Sequence, residues 1–474
     1  MLKIYYFSRD SMHKTFVTCL FLTLLCTFYV AVLYNPRGSA SIEEESFEIP
    51  TSNISRASRN LNGCKIEKGN DVFTDRIPHA REHEAWLARG VSKEGNLAAN
   101  LSLLGAYVYK DYIAVTITSQ NLYSRKVFCR YYDCTRSEIG PAFLSKVFPE
   151  STIYCGRRPG AKFISLTHEL DEEPLTPIPI MDRTFDEPPH FFSVCLAPLY
   201  GDEPKWLQLV EFIEHYKLQG ATQFYIYLID VDPYTRLLID DYVRTGEIEL
   251  VIMHDRYERP QWLFHMVEIF DCLQRSKHHS KWTAFVDIDE RMNVTGYSGT
   301  IADYLRGIKD PKVASLEWRS QWVLKTGDSP AKYINEKQLR DELTFVKYTN
   351  TTAVGPVGHT QKCIIRSEMV GAMSIHWPHL YAGGRGMGMP ANHGVTRHYR
   401  NVKFRVFGKN WVDGVLGFGK LTTTHLDPTY AEKLSKAVVS RVKTVYDIIP
   451  LDCKKVLSWI WQSHGTTDPC KKMN

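Results

Sequence analysis

The sequence predicts an α/β domain on a mostly parallel sheet, preceded by a small β-rich domain and an apolar N-terminal anchor. Three observations predict it. Past Pro189, apolar strands alternate with amphipathic helical segments; between 101 and 172, short stretches are rich in β-branched and aromatic residues; and Phe16–Tyr34 is an uncharged apolar run. Composition agrees with a globular chain, 44% hydrophobic and 23% charged, and a net charge of +5 with no basic run argues against a nucleic-acid partner.

The run FVTCLFLTLLCTFYVAVLY over 16–34 spans about 19 residues, which at about 1.5 Å each matches the ~30 Å hydrocarbon layer. Lys3, Arg9 and Lys14 precede it, and only Arg37 follows before Glu43, Glu44, Glu45 and Glu48. The positive-inside bias therefore leaves a cytosolic tail, 1–15, and a luminal body, the layout of a single-pass type II protein of the secretory pathway. Gly38-Ser39-Ala40 offers a cleavage site to the alternative, a signal peptide, although the run exceeds the ~7–15-residue apolar core of such peptides.

Residues 35–100 read as a stem, rich to about Asn60 in Ser, Glu, Asn and Arg. Asn53, Asn100, Asn293 and Asn350 each open an N-glycosylation acceptor pattern. Of 11 cysteines, Cys19 and Cys26 fall in the apolar run; the odd remainder leaves at least one unpaired or bridging to a second chain, which allows a homodimer. No C-x₂-C spacing supports a structural zinc.

AYVYKDYIAVTITS, KVFCRYYDC and KFISLTH carry the β-rich domain, 101–172, and prolines mark a linker over 173–189. From 190 to 474 the expected order is strand 191–199, helix 204–218, strand 223–229, helix 233–245, strand 248–253, helix 260–275 and strand 282–287. Helix 300–308, strand 313–322, short strands at 363–366 and 372–377, a flexible glycine-rich loop at 383–390 and a final helix over 428–448 follow. Such consecutive βα units form a nucleotide-binding layout whose crevice lies at the carboxyl ends of the strands.

At one of those ends stands Trp282-Thr-Ala-Phe-Val-Asp287-Ile-Asp289-Glu290-Arg291. In an extended segment Asp287 and Asp289 share a side, and hard oxygen ligands suit a divalent ion that neutralises a nucleoside diphosphate. Asp230-Val-Asp232 ends another apolar strand and reads either as a nucleotide contact or as a helix cap before Pro233. Arg256, Arg259 and Trp262 follow the third strand, where a diphosphate or a base could lie, or else form a charged loop with a core tryptophan. Lys362 is a further donor-site candidate, with a structural role as its alternative, and Glu290 is a partner for the metal ligands or for Arg291. Cys363 reads as packed or disulfide-bonded, because nothing near it would activate a thiol.

Between Phe191 and Arg400 stand, in order, SVCLAPLYGDEPKWLQLVEFIEHYKLQGATQFYIY, Trp262-x-x-His265 with Asp271-Cys272-Leu273, FVDIDER, Lys362-Cys363-Ile-Ile-Arg366, His376 and His398-Tyr399-Arg400. Together these motifs resemble glycosyltransferase family 92. The resemblance implies a GT-A-like site that takes a UDP-sugar, UDP-galactose in the known members, and forms a β1,4 linkage to a glycan acceptor with Mn2+ as cofactor. By the same resemblance Asp289 binds the metal, Asp287 the ribose or the metal, and His398 completes the shell. An inverting transfer also needs a base, for which Glu317 is the candidate, with Asp341 and Glu342 as others. A different UDP-sugar, or a glycan-binding protein without turnover, are the alternatives.

Overall fold

Alternation along the strands divides the molecule into separate cores. The computed structural model describes residues 74–78, 101–119, 122–253, 261–406 and 409–447. The apolar run 16–34, Asn53, Asn100, Arg256 and Arg259 lie outside them, and among the described residues no helix is long and apolar enough to cross a membrane.

The β-rich part comprises β1 (Leu103–Val108), β2 (Ile113–Ile117), β3 (Lys126–Tyr132), β4 (Glu138–Lys146), β5 (Thr152–Cys155), β6 (Phe163–Thr167), β7 (Ile178–Pro179) and β8 (Met181–Asp182). They form two four-stranded sheets, β5-β2-β1-β8 and β4-β3-β6-β7, so the proline-rich segment 173–189 itself supplies an edge strand to each. Val115, Ile117, Val127, Tyr131 and Ile164 fill the space between, and a Cys129–Cys155 disulfide joins one sheet to the other.

The next segment runs β9 (His190–Leu199), α1 (Trp206–Leu218), β10 (Gln223–Leu228), α2 (Pro233–Arg244), β11 (Ile248–Ile252), α3 (Phe264–Ser276), β12 (Ser280–Val286) and β13 (Glu290–Val294). After it come α4 (Ile301–Gly307), β14 (Val313–Trp318), β15 (Ser320–Lys325), α5 (Glu336–Glu342), α6 (Thr344–Lys347), β16 (Asn350–Val354) and β17 (Lys362–Ile365). β18 (Val370–Met373), β19 (Pro378–Tyr381), β20 (Arg385–Gly388), β21 (Gly394–Asn401), α7 (Trp411–Leu416) and α8 (Pro428–Tyr446) complete it.

A seven-stranded sheet has the order β11-β10-β9-β12-β17-β14-β20. Its first four strands are parallel, and β17 alone runs against its neighbours. Phe192, Val194, Leu196, Ile226, Ala284 and Ile364 point to one face, into a core closed by α1, α2 and α8; Cys195, Tyr225, Tyr227, Phe285 and Cys363 point to the other, against α3. A Cys195–Cys272 disulfide staples β9 to α3. A smaller sheet, β13-β21-β15-β16 with Thr422–Thr423 at its edge, adjoins it.

Two expectations change here. The predicted strand 313–322 is broken at Arg319 into β14 and β15, which belong to different sheets. The predicted flexible loop 383–390 contains β20, the edge strand paired with β14; a Cβ at Gly386 would come within 2.5 Å of Glu317 Oε1 and 2.7 Å of the Tyr381 hydroxyl, so glycine allows that close pairing.

The β-rich part docks on α3 through bonds to Gln274 and through a buried carboxylate, Asp271. Asp271 accepts from Tyr107 at 2.8 Å, from Tyr227 at 2.6 Å and from Arg275 Nε at 3.0 Å, and also from Thr116. An ion so fully removed from water persists only with such a set of donors.

Candidate active site

Where the strand order reverses, between β9 and β12, the carboxyl ends of two parallel strands open a crevice, the place where ligands enter open α/β sheets. Tyr200 follows β9 there, and Asp287 follows β12. Asp287 and Asp289 do not sit on an extended strand. Asp287 to Glu290 is a turn, closed by Glu290 N donating to Asp287 O at 3.0 Å and Asp287 N to Glu290 Oε2 at 2.9 Å, which carries the chain from the larger sheet into the smaller.

Register then supplies the partners. β21 pairs antiparallel with β13 so that His398 stands opposite Glu290. His398 Nε2 lies 3.3 Å from Asp289 Oδ2, and its Nδ1 lies 3.4 Å from Glu290 Oε1. Parallel pairing with β15 brings Trp322 alongside, and the indole stacks on the imidazole at 4.1 Å and 19°. From β17, Lys362 Nζ reaches Asp287 Oδ1 at 3.2 Å and Glu290 Oε2 at 3.4 Å, while His265 Nε2 approaches Asp287 Oδ1 at 3.5 Å from the start of α3.

Burial acts against charge throughout this group, and the facing partners decide each outcome. Lys362 and His265 outweigh burial and hold the Asp287 carboxyl below its ordinary range; His398 does the same for Asp289. Burial prevails at Glu290 despite Lys362 and pushes it up to about 7. Asp289 and Glu290 together raise His398 against burial, and burial lowers His265.

The structure gathers Asp287, Asp289, Glu290, Lys362 and His398 but assigns them unequally. Lys362 is 1% exposed and serves as counter-ion to Asp287 and Glu290, so it does not present its ammonium to a donor as expected. Asp287, held by Lys362 and His265, does not join Asp289 and His398 in one close set of donor atoms. Among the described residues the one trio drawn that close is Cys195, Glu268 and Cys272, whose two sulfurs are consumed by their disulfide. For a divalent ion the fitting pair is Asp289 and His398. Their donors, 3.3 Å apart, suit neighbouring positions of an octahedral shell with ligand distances of about 2.1 Å. Glu290 Oε1 lies behind the imidazole, 3.4 Å from Nδ1, at ion-pair distance but without a hydrogen bond, on the side where a carboxylate supports a metal-bound histidine. Arg291, its alternative partner, turns away to the Ile288 and Gln208 carbonyls.

Of the other expected residues, Asp232 caps α2 by accepting from Thr235 N at 2.9 Å, and Asp230 is exposed beside it. Trp262 lies in a short 3₁₀ turn ahead of α3. Glu317, near the carboxyl end of β14, accepts from Gln361 Nε2 at 2.9 Å and lies 3.5 Å from the Tyr381 hydroxyl. Asn350 is exposed, whereas Asn293 is 4% exposed and donates to the Arg291 carbonyl, so in the folded domain it cannot carry a glycan. Cys363 is unpaired and buried among apolar groups; burial drives its thiol well above the ordinary range, and it offers no bridge to a second chain. His265 and Trp322 were not singled out as site residues from sequence: the first lay within a recognised motif, while the second is brought in only by the β15–β21 pairing.

A mixed α/β sheet with a carboxylate turn and a facing histidine at its switch point defines a nucleotide-binding type of enzyme domain. The chain belongs to glycosyltransferase family 92, whose model matches residues 190–436. It is similar to the β-1,4-galactosyltransferase galt-1 of Caenorhabditis elegans, at 26% identity over 215 residues, covering 44% of this chain and 45% of that protein. The chain thus matches less than half the length of this curated relative. Among solved structures, Staphylococcus aureus TarS 1–349 with UDP-GlcNAc shares 12% identity, 54% of this chain and 67% of that one, at a TM-score of 0.28. The Pyrobaculum calidifontis mannosyltransferase PcManGT with GDP-Man and Mn2+ shares 11% identity, 60% of this chain and 79% of that one, at 0.25.

Proposed function

We propose that the chain transfers galactose from UDP-galactose to a glycan acceptor with inversion, forming a β1,4 linkage, and that it does so as a type II protein of the Golgi membrane. The observation that carries the catalytic part is the opposition of Asp289 and His398 at the switch point of the sheet. Family membership and the likeness to a β-1,4-galactosyltransferase support the donor and the linkage.

In this reading Asp289 and His398 hold a divalent ion, Mn2+ in the family, and Glu290 orients the imidazole. The ion, when bound, neutralises charge on the diphosphate. Lys362 keeps Asp287 ionised, so that it can accept from a ribose hydroxyl. Glu317 takes the proton of the acceptor hydroxyl as the new bond forms at the anomeric carbon. On the opposite face the bond from that carbon to the diphosphate oxygen breaks and leaves its electron pair on UDP. Gln361 and Tyr381 aim the Glu317 carboxylate.

The test is sugar transfer by the purified full-length protein across UDP-sugars and glycan acceptors, with Mn2+ or EDTA, beside Asp289→Ala. Transfer from UDP-galactose that disappears with EDTA and with the substitution supports the proposal. A folded protein that binds glycans but neither transfers nor hydrolyses any UDP-sugar overturns it in favour of a binding protein.

A further inference from the structure

Lys362, one of the cations expected to meet the donor, is spent inside the protein, and the other two, Arg256 and Arg259, lie outside the described residues. Beside Asp289 opens a cavity of about 300 Å³ lined by Gln208, Ile288, Lys325, Arg400 and Phe404. Two of these side chains are cationic, and neither forms an ion pair among the described residues. Arg400 lies two residues beyond His398 on β21; its guanidinium stacks over Phe404 at 4.5 Å and lies 5.7 Å from the Trp322 ring. Among the described residues this guanidinium makes no hydrogen bond and no ion pair. The ring contacts involve its π face and leave its N–H donors for a ligand. Lys325, at the end of β15, is 7% exposed, and its ammonium donates to Ser329 Oγ at 3.1 Å with no carboxylate in contact. A buried ammonium with one neutral partner is incompletely satisfied.

The cavity also holds three carboxylates, of which Glu203 has a counter-ion and Asp328 only a neutral amide partner. Asp328 accepts from Asn401 Nδ2 at 3.0 Å, and Glu203 faces Lys205 Nζ at 3.4 Å. The third, Asp289, is the ligand assigned above to the cation. Arg400 and Lys325 both lie within electrostatic reach of it, and Lys325 lies within reach of Glu211 and Asp328 as well, though it forms an ion pair with none of them.

We infer that Arg400 and Lys325 form the diphosphate subsite of this enzyme, receiving the phosphates of the nucleotide beside Asp289. The inference rests on the proposed use of a UDP-sugar. When the bond from the anomeric carbon to oxygen breaks, its electron pair remains on the terminal phosphate, and UDP departs with one more negative charge than it bore as a diester. Two cations beside it, neither held in an ion pair, stabilise that charge, and Arg offers the planar fork that matches two phosphate oxygens.

Binding of UDP and of uridine to the full-length protein in Mn2+, by calorimetry and ligand-observed NMR, separates phosphate recognition from base recognition. Arg400→Gln and Lys325→Met should each weaken UDP about 10–100-fold, the scale of a lost charge-assisted hydrogen bond. Uridine affinity should stay unchanged, and Arg400→Lys should recover part of the loss. Thermal unfolding reports whether each variant is folded, and the unchanged uridine affinity is a readout that a structural defect would not preserve. Wild-type affinity for UDP in both variants, with a raised acceptor KM, would give the cavity to the acceptor and overturn the inference alone. If the wild-type protein binds none of UDP, GDP and ADP, the nucleotide-sugar reading falls and the subsite falls with it.

Discussion

His398 Nε2 stands 3.3 Å from Asp289 Oδ2, with the opposite ring nitrogen turned to Glu290 and one ring face covered by Trp322. Two elements distant in sequence from His398, the turn into β13 and β15, therefore fix one imidazole. Two consequences for metal affinity follow. Asp289→Asn should reduce Mn2+ affinity by about 100-fold or more, because a neutral amide replaces a charged ligand. Trp322→Leu should reduce it about 10–100-fold, as loss of an outer support does. Titration with Mn2+ followed by paramagnetic resonance checks both, and equal affinity in wild type and Trp322→Leu would show that the stack does not steer the histidine.

Lys362 balances two carboxylates from a position with 2% of its side chain exposed, and Glu290 opposite it is equally enclosed at 1%. Lys362→Met should destabilise the fold by about 3–5 kcal/mol, the cost of leaving buried charge without its partner. Adding Glu290→Gln should restore a large part, since one of the two stranded charges is then gone. Denaturant unfolding of the single and double variants measures this. A double variant no more stable than the single would locate the whole penalty at Asp287.

Much of this architecture was legible because the βα units carry their own signals. Asp232 and Pro233 start α2, and strict alternation along β9 and β12 separates Phe192, Val194 and Leu196 from Cys195. Asp287 and Asp289 were legible as carboxylates at a strand end, and His398 only through the resemblance to the family. What local pattern could not supply was pairing. The unbroken apolar stretch 313–322 hides the turn at Arg319 that sends β14 and β15 into different sheets, and glycines that read as flexibility at 383–390 serve a close strand edge. The dual ion pair of Lys362 likewise depends on β17 running antiparallel to β12, a nonlocal fact.

Asp271 gathers donors from both parts of the molecule: Tyr107 and Thr116 from the β-rich part, Tyr227 and Arg275 from the other. Tyr107→Phe removes one of these donors and should cost about 1–2 kcal/mol; Asp271→Ala, which leaves the Tyr107 and Tyr227 hydroxyls without their acceptor and Arg275 with Glu249 alone, should cost about 3–5 kcal/mol. Because α3 also carries His265 toward Asp287, Asp271→Ala should lower transfer activity as well. Unfolding midpoints and activity measured together test the linkage. Unchanged stability in Asp271→Ala would mean that the two parts fold independently.

Glu211, on the buried face of α1, provides the pH dependence that stability should show. Burial raises its pKa to about 7 from an ordinary 4.5, Arg291 only partly offsets that, and its carboxyl accepts from Thr344 N at 2.5 Å. Below about pH 4.5 the carboxyl is protonated in both folded and unfolded chains and contributes no difference. As pH rises from there toward 7 the unfolded chain releases its proton first, so native stability falls by about 1.4 kcal/mol per pH unit and levels off above the folded pKa. Glu211→Gln keeps an acceptor for Thr344 and removes the titration. Between about pH 5 and about pH 7.5, wild-type stability measured relative to this variant should therefore drop by about 2–3 kcal/mol. A difference that stays flat over that range would mean that Glu211 is ionised throughout, with Arg291 balancing its charge inside the core.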